Sequence, residues 1–457
     1  MSPSKTIYLL PPPFSDKQTE ALLSHLSADS ALLKLSPGDD VSGLVQQNWG
    51  ERAFAHVEII KINAAYKEHK AYYDAAAESL QTMFAREWAN ALTLINLGRR
   101  YALNFIKNLG LGLRWSALPR WSSLSRPQDL GSLSWGDATV LVCGAGPSLD
   151  VFLKDFKRQA NEKIICVDTA IGALQARGIQ PDLVLALECQ HWNLRDFVGV
   201  GKDLPIAMDM SALPQTAEFA GGGDEERSSL YLFFTPWTRL RIFDRLGEAG
   251  FLPVAFPPMG SVGVCALYAA QCLSTGPIRT AGLDFAYSLD AYHAKGTPGS
   301  KDLYRKTTRL KSLYNAAAAY RPGSEAIKGS QSRTDPGMRA YRNLFQELTR
   351  RRRGAEGFDM ITNNNPASSA SPREIFIIES NRVKKLKNIL TGENPDTSQL
   401  DTLLDECDYL YAHFPECAAR IGPDGFILRP PASDLSFLNR VRAELEFFDK
   451  AWGQVLA

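Results

Sequence analysis

A short stretch of this chain, TVLVCGAGPSLD, combines residue types that suit anion binding. An apolar run leads into a turn containing Gly144 and Gly146, where backbone can approach a ligand closely. Pro147 suits the first position of a helix, because its missing N–H would be unpaired there in any case. The N–H groups of Ser148 and Leu149 would then lack helical acceptors and lie where the helix dipole favours an anion. The stretch predicts a phosphate-binding turn, to which the Ser148 hydroxyl adds a donor.

A second group of chemical residues follows a predicted short strand that ends in Gly282. Asp284, Tyr287, Tyr292 and His293 come soon after it, on a predicted loop. In parallel α/β sheets, ligands and catalytic groups gather just beyond the carboxyl ends of strands. A lone histidine is more often structural or merely exposed. Titratable neighbours beyond a strand end favour a catalytic role here.

Two further acidic residues end predicted strands. Asp168 follows Ile164–Val167 and precedes small residues that include Ala170, and Glu188 follows Leu183–Leu187. A carboxylate in this position can accept hydrogen bonds from a ribose or a base. Asp168 and Ala170 are therefore predicted to contact a nucleotide, and Glu188 is given a supporting role.

The elements around these residues alternate between strand and helix. A helix over Ala170–Arg177 is predicted to end at Gly178, which suits a left-handed cap. The repeated alternation predicts an α/β fold with a Rossmann-like, doubly wound and mostly parallel sheet. In PPMGSVGVCALYAAQCL, the glycines and Ser261 precede an alanine-rich helix. This pattern fits either tight helix-to-sheet packing or ligand contact at Ser261.

Shifts in composition divide the chain into an N-terminal, mainly helical domain (1–125), a central domain (126–380) and a C-terminal helical domain (381–457). The local predictions are a strand at Thr6–Leu10, helices over Glu51–Leu109, a connector at 119–136, a helix at Tyr341–Arg350, a polar loop at 362–372 and a strand in EIFIIES at 374–380. A length of 457 residues agrees with several domains.

Composition excludes several classes of protein. The chain has 51 basic and 50 acidic residues, a net charge of +1, so no overall field attracts nucleic acid or an anionic membrane. No apolar run approaches the ~18 residues of a membrane span. The seven cysteines include no CxxC pair, so no metal site or disulfide framework is expected. We expect a cytoplasmic protein.

The motifs together resemble the Maf motility-associated factors, which are flagellin glycosyltransferases with an MptE-like central domain. The matching pieces are GAGPSLD, VDTA, GIQPD, GSVG, GLDFAY, HAKGTP, TDPGMRAYRNLFQEL and FDMITN, in this order over roughly 130–375. The turn also resembles that of bacterial sialyltransferases. The resemblance implies a sialyltransferase-like fold and inverting transfer of a nonulosonic acid, a nine-carbon acidic sugar, from a CMP-activated donor to Ser or Thr of flagellin.

On that resemblance, the turn at Pro147–Leu149 holds the departing phosphate, and Asp168 contacts the ribose or cytosine. Inverting transfer needs a base near the acceptor hydroxyl. His293 or Asp284 is predicted to be this base, and the other, with Tyr287, orients it or the nucleotide. No cofactor beyond the CMP-sugar is predicted.

Two alternatives remain. MptE-like proteins include pterin diphosphokinases, which use ATP and magnesium. Glu188 has no second carboxylate close to it in sequence, which argues against magnesium, because a bridging ion normally needs one or two carboxylates. A nonenzymatic module that binds flagellin or a nucleotide is the other alternative.

Overall fold

The computed structural model describes residues 6–10, 30–34, 39, 41, 43–45, 65–111, 128–200, 204–220, 229–318, 324–353, 371–392, 397–422 and 424–457. Several predicted features lie outside these residues. They are the first part (51–64) of the predicted helical region, part of the predicted connector, residues 362–370 of the predicted loop and the motif FDMITN.

The strands are β1 (Thr6–Leu10), β2 (Ser30–Lys34), β3 (Gln128–Asp129), β4 (Thr139–Cys143), β5 (Glu162–Val167), β6 (Leu183–Ala186), β7 (Ile206–Asp209), β8 (Leu230–Phe233), β9 (Ile278–Ala281), β10 (Tyr287–Ser288), β11 (Glu325–Ala326) and β12 (Ser332–Thr334).

The α-helices are α1 (Ala65–Glu68), α2 (Lys70–Leu109), α3 (Ser148–Phe152), α4 (Ile171–Gln175), α5 (Arg241–Glu248), α6 (Val262–Leu273), α7 (Pro298–Lys306), α8 (Leu313–Ala318), α9 (Pro336–Arg353), α10 (Pro372–Thr391), α11 (Leu400–Glu406), α12 (Pro415–Ala418) and α13 (Leu435–Leu456).

The chain forms two compact units. One consists of Met1–Arg99, Thr238–Ile242 and Lys385–Leu445, and so combines N-terminal and C-terminal segments. Its described residues include the parallel pair β1 and β2. Arg429 stabilises this unit by pairing with Asp401 and Asp405.

The other unit comprises Arg100–Trp237, Phe243–Lys384 and Glu446–Ala457 and contains the predicted α/β fold. Its seven-stranded sheet has the order β3-β8-β7-β6-β5-β4-β9, and every pair in it is parallel. The strands from β4 to β7 are almost entirely buried, as expected for apolar runs covered on both faces. The Rossmann-like, doubly wound fold is thus confirmed.

This strand order creates a switch point. From β4 the chain adds strands on one side as far as β8, and only later places β9 on the other side of β4. In open α/β sheets, ligands bind beyond the carboxyl ends of the strands where the order reverses. The loops that follow β4 and β9 lie at this position.

Two local predictions were wrong. EIFIIES is helical within α10, because a short apolar run does not by itself distinguish a buried strand from one face of a helix. The helix predicted at Ala170–Arg177 is confirmed as α4, which is shorter and follows a 3-10 turn at Asp168–Ala170, and Gly178 has the expected positive φ of 68°. Part of the predicted connector pairs with β8 as the edge strand β3.

Two buried asparagines on α2 hold the loops that follow β6 and β7. The Asn104 amide donates to the carbonyls of Cys189 and Ser211, at 3.0 and 3.1 Å. The Asn108 amide donates to those of Met210 and Ala212, at 3.0 and 2.9 Å. Since buried carbonyls need partners, this asparagine clamp fixes the sheet edge on which Glu188 lies.

Replacing Asn108 by Ala should lower the free energy of unfolding by about 2–4 kcal/mol, because two buried carbonyls lose their donor. Equilibrium urea denaturation would measure this. Asn96→Ala is the matched control, since Asn96 lies exposed on the same helix and its amide donates to the Leu92 carbonyl of that helix. Equal effects of the two substitutions would contradict the proposed role of the clamp.

Candidate functional site

The glycine turn after β4 packs directly against the chain leaving β9. A Cβ added to Gly144 would lie 2.4 Å from the carbonyl oxygen of Gly282. One added to Gly146 would lie 1.9 Å from a carboxylate oxygen of Asp284. The Gly146 N–H also donates to the Gly282 carbonyl at 2.8 Å. Both glycines are needed for close approach, and the contact joins the two segments predicted to carry chemistry.

The donors predicted to bind phosphate are engaged within the protein. The N–H of Ser148 donates to the Asp284 carboxylate at 3.2 Å, and the Ser148 hydroxyl accepts from the Gly282 N–H at 3.2 Å. Leu149 donates to the carbonyl of Gly146 at 3.1 Å. Neither N–H has an acceptor within α3, as expected, but both are bonded to other parts of the protein. An anion does lie at the start of α3, as the dipole favours, but it is the protein's own carboxylate.

The residue after Asp284 is strained. Phe285 has φ of 48°, a left-handed conformation that no other described residue except glycine adopts. Such a backbone costs about 1–2 kcal/mol in an L-residue. Packing of the Phe285 ring against Phe345 and a hydrogen bond from the Thr334 hydroxyl to the Phe285 carbonyl hold it in place. The backbone next to Asp284 is thus held by its surroundings.

The segment HAKGTP lies against the same turn. Ala294 donates its N–H to the Ala145 carbonyl, and Lys295 donates to the Asp150 carboxylate, each at 2.9 Å. The half-buried His293 packs on the first turn of α7, where a Cβ on Gly299 would lie 2.2 Å from its Nδ1. The backbone that follows His293 therefore contacts the turn, whereas the His293 ring itself packs against α7.

Tyr287 has a largely structural setting. It is buried in β10, and its hydroxyl shares a hydrogen bond of 2.8 Å with the Ser324 hydroxyl. Its ring nevertheless lines a cleft beside the β4 turn, with a volume of about 310 Å³. This switch-point cleft is also lined by Pro147, Asp284, Ser288, Ser330, Ser332 and Arg342.

Carboxylates also gather beyond β5 and β6. Asp168 is buried and accepts from the N–H of Thr169 at 2.8 Å. Burial raises the pKa of Asp168 to about 6. Hydrogen bonds from Thr169 lower this pKa in part, and the charge of Glu188 raises it by a smaller amount. Burial, followed by the charge of Asp168, raises the pKa of Asp196 to about 7.

Folding brings Asp168 and Asp196 close enough to Glu188 to interact with it electrostatically. Glu188 therefore has carboxylates near it that its neighbours in sequence do not reveal. Glu188 itself is exposed and accepts from the Gln190 N–H at 2.9 Å. Even so, the described residues include no group of three or more His, Cys, Asp or Glu side chains placed to hold a metal ion.

Two other predicted contacts lie in packed surroundings. Ala170 is buried at the end of its 3-10 turn. Ser261 precedes α6 without a side-chain capping bond, and a Cβ on Gly263 would lie 2.6 Å from the Leu283 side chain. The geometry at Gly263 agrees with the packing interpretation of GSVG. Nucleotide contacts at Ala170 and Ser261 stay predictions.

Sequence reasoning missed Asn104, Asn108, Asp196 and Arg342. The asparagines did give a signal, since two amides four residues apart in a helix lie on one face. Asp196 gave none, because a charged residue on a short helical segment is usually solvated. Arg342 lies within the motif TDPGMRAYRNLFQEL and the predicted helix Tyr341–Arg350, but only the fold shows that it lines a cleft.

The site and the sheet define an α/β protein with a glycine turn at its switch point. Residues 116–290 match the family model of 6-hydroxymethylpterin diphosphokinase MptE-like proteins. The MptE-like resemblance that the motifs indicate is thus confirmed for this part of the chain.

Two longer similarities cover most of the chain. An uncharacterized protein from Treponema pallidum (strain Nichols) is 29% identical over 458 residues, covering 88% of this chain and 75% of that protein. A solved structure described as a MAf glycosyltransferase from Magnetospirillum magneticum AMB-1 is 13% identical over 93% of this chain and 68% of its own, with a TM-score of 0.40. That score is too low to support a conclusion about function. Among the described helices, none is long and apolar enough to cross a membrane.

The buried Asp168 makes stability depend on pH. Because its pKa rises from 3.8 to about 6 on folding, its contribution to stability is complete below 3.8 and is lost as the pH rises through 6. Asp168→Asn should therefore raise the free energy of unfolding by about 3 kcal/mol at pH 8. The gain should shrink as the pH falls towards 4. Urea denaturation at both pH values tests this, and an equal gain at both would contradict it.

Proposed function

We propose that this protein is a glycosyltransferase that moves a nonulosonic acid from a CMP-activated donor to a serine or threonine hydroxyl of flagellin. The observation that carries the proposal is the junction at the switch point, where GAGPSLD meets both GLDFAY and HAKGTP. The MptE-like match and the ordered Maf-like motifs support the same assignment. The wider fold supplies the edge of the sheet at which such a nucleotide binds.

The proposed reaction needs a base and a stabilised leaving group. The acceptor hydroxyl oxygen attacks the anomeric carbon, its proton passes to the base, and the bond from carbon to the phosphate oxygen breaks as CMP leaves. Asp284 contacts the proposed phosphate-binding turn through the N–H of Ser148, which suits it to a role at the leaving group and not at the acceptor hydroxyl. We therefore assign the base to His293 and give Asp284 the role of organising the turn.

Binding of the CMP-sugar then requires the Ser148 N–H to exchange its acceptor. A phosphate that takes the N–H of Ser148 competes with the carboxylate of Asp284 for the same donor. A phosphate bound at this N–H would also be repelled by the like charge of the neighbouring Asp284 carboxylate. We propose that the phosphate displaces Asp284 from Ser148 when CMP-sugar binds.

Magnesium-dependent diphosphokinase activity is the second candidate, because the matching family model carries that description. The carboxylates Asp168, Glu188 and Asp196 interact, but they are not arranged as a ready cation site. We therefore derive no step through a metal. ATP binding that requires magnesium would favour this candidate.

The first test is calorimetry with CMP, CDP, UDP, ATP and GTP, each with and without magnesium, followed by a transfer assay on flagellin. We expect metal-independent preference for CMP. His293→Ala should lower transfer at least 100-fold, the usual minimum for general base catalysis, while the variant stays folded and keeps its CMP affinity. His69→Ala, an exposed histidine elsewhere in the chain, is the control. Undiminished transfer by His293→Ala would remove it from the mechanism, and absence of nucleotide binding would favour a nonenzymatic partner protein.

Removing the competing carboxylate should separate binding from turnover. Asp284→Ala should bind CMP more tightly than the wild type, because the Ser148 N–H is then released, while transfer falls. Calorimetry and the transfer assay on one preparation measure both effects. Weaker CMP binding by a folded Asp284→Ala variant would instead place Asp284 in direct contact with the nucleotide.

A further inference from the structure

The switch-point cleft contains a positive charge that no described residue neutralises. Arg342 is half-buried on α9 and lines the cleft, yet it makes no hydrogen bond or ion pair with any residue that the structure describes. Two arginines near it in the chain are paired. Arg339 donates to the Glu325 carboxylate and Arg333 to the Ser324 hydroxyl, both at 2.9 Å. A partly buried guanidinium without a partner is costly, and an anionic ligand would offset that cost.

The acidic residue in the same wall does not supply this partner. The Asp284 carboxylate is bound to the N–H of Ser148, and no ion pair joins it to Arg342 among the described residues. The cleft therefore presents a negative charge at the turn and, on α9, a positive charge that pairs with no described residue. This arrangement suits a ligand with a carboxylate at one end and neutral polar groups elsewhere.

Serine hydroxyls provide the neutral polar groups. Ser330 accepts a hydrogen bond from the Ser332 N–H at 3.0 Å, which leaves its own hydroxyl proton available to donate. The Ser332 hydroxyl makes no hydrogen bond to the residues that the structure describes. Hydroxyls can donate to and accept from the hydroxyls of a sugar. Together with Arg342, they match an acidic polyol.

The size of the cleft limits what it can hold. Its volume of about 310 Å³ is at the lower end of the ~300–1,000 Å³ typical of small-molecule pockets. That space suits one sugar unit better than an entire nucleotide-sugar. The phosphate and nucleoside must then lie outside it, along the neighbouring strand ends.

We propose that the switch-point cleft is the sugar subsite and that Arg342 binds the carboxylate of the transferred sugar. A guanidinium can make two parallel hydrogen bonds to a carboxylate, which fixes both the charge and the orientation of the ligand. Ser330 and Ser332 bond to sugar hydroxyls. This assignment rests on the proposed glycosyltransferase function and identifies the residue that selects an acidic over a neutral sugar.

The test compares the affinities of CMP and CMP-N-acetylneuraminic acid by calorimetry, using wild type, Arg342→Met and Arg339→Met. Arg342→Met should weaken binding of the CMP-sugar about 10- to 100-fold, the equivalent of a lost charge-assisted hydrogen bond, and leave CMP affinity unchanged. Arg339→Met, on the same helix, should alter neither. Arg342→Lys should fall between wild type and Arg342→Met, because it keeps the charge without the planar fork. Unchanged melting temperatures confirm folding.

A ligand-side comparison tests the charge itself. The probe is saturation-transfer NMR with free N-acetylneuraminic acid and its uncharged methyl ester. The wild type should give a stronger saturation-transfer signal for the acid than for the ester, and Arg342→Met should give equal signals for the two. Equal loss of CMP and CMP-sugar affinity in Arg342→Met would assign Arg342 to the phosphate, and no loss would remove it from the site; either result overturns the proposal.

The binding behaviour of the wild type distinguishes a failure of the proposed function from a failure of the proposed sugar subsite. If the wild type binds neither CMP nor the CMP-sugar, the proposed function is wrong and the sugar subsite falls with it. If it binds CMP but gains nothing from the attached sugar, the CMP-dependent function stands and only the subsite is overturned.

Discussion

The site depends on contact between two glycine backbones, one in each of the loops that leave β4 and β9. A Cβ on Gly144 would come within 2.4 Å of the Gly282 carbonyl oxygen, and one on Gly282 within 2.3 Å of that of Gly144. No side chain fits at either position without separating the strand exits. The hydrogen bonds from Ser148 to Asp284 and from Ala294 to Ala145 span the same junction. Loss of this backbone contact would therefore disperse the candidate catalytic residues together.

Charge is distributed unevenly around this junction. Asp284 places a carboxylate on the turn, next to the strained backbone of Phe285. Asp168 and Asp196 form a second acidic region in which burial disfavours ionisation and raises the pKa of each. Arg342 is the cationic side chain in the cleft wall. An anionic ligand would be attracted to this site at one point and repelled at others, which would favour a single orientation.

Short sequence patterns predicted most of the strands and helices of the central sheet. The contacts of the site could not be predicted in the same way, because they join residues that are far apart in the chain. The strands around the GAGPSLD turn and the left-handed Gly178 follow from short patterns of apolar residues and glycine. EIFIIES misled because its helical period is visible only over the whole of α10. The acceptor of the Ser148 N–H lies 136 residues away, and no local rule specifies such a partner. Arg342 likewise becomes a candidate only when α9 is placed beside the cleft.

The asparagine clamp has a consequence for the limits of the autonomous folding unit. Asn104 and Asn108 precede the region 116–290 that matches the family model, yet they supply donors to four carbonyls at its sheet edge. A fragment cut at the boundaries of that region would expose those carbonyls and release the loop that carries Glu188. The segment that defines the family by sequence is therefore smaller than the segment that can maintain its geometry.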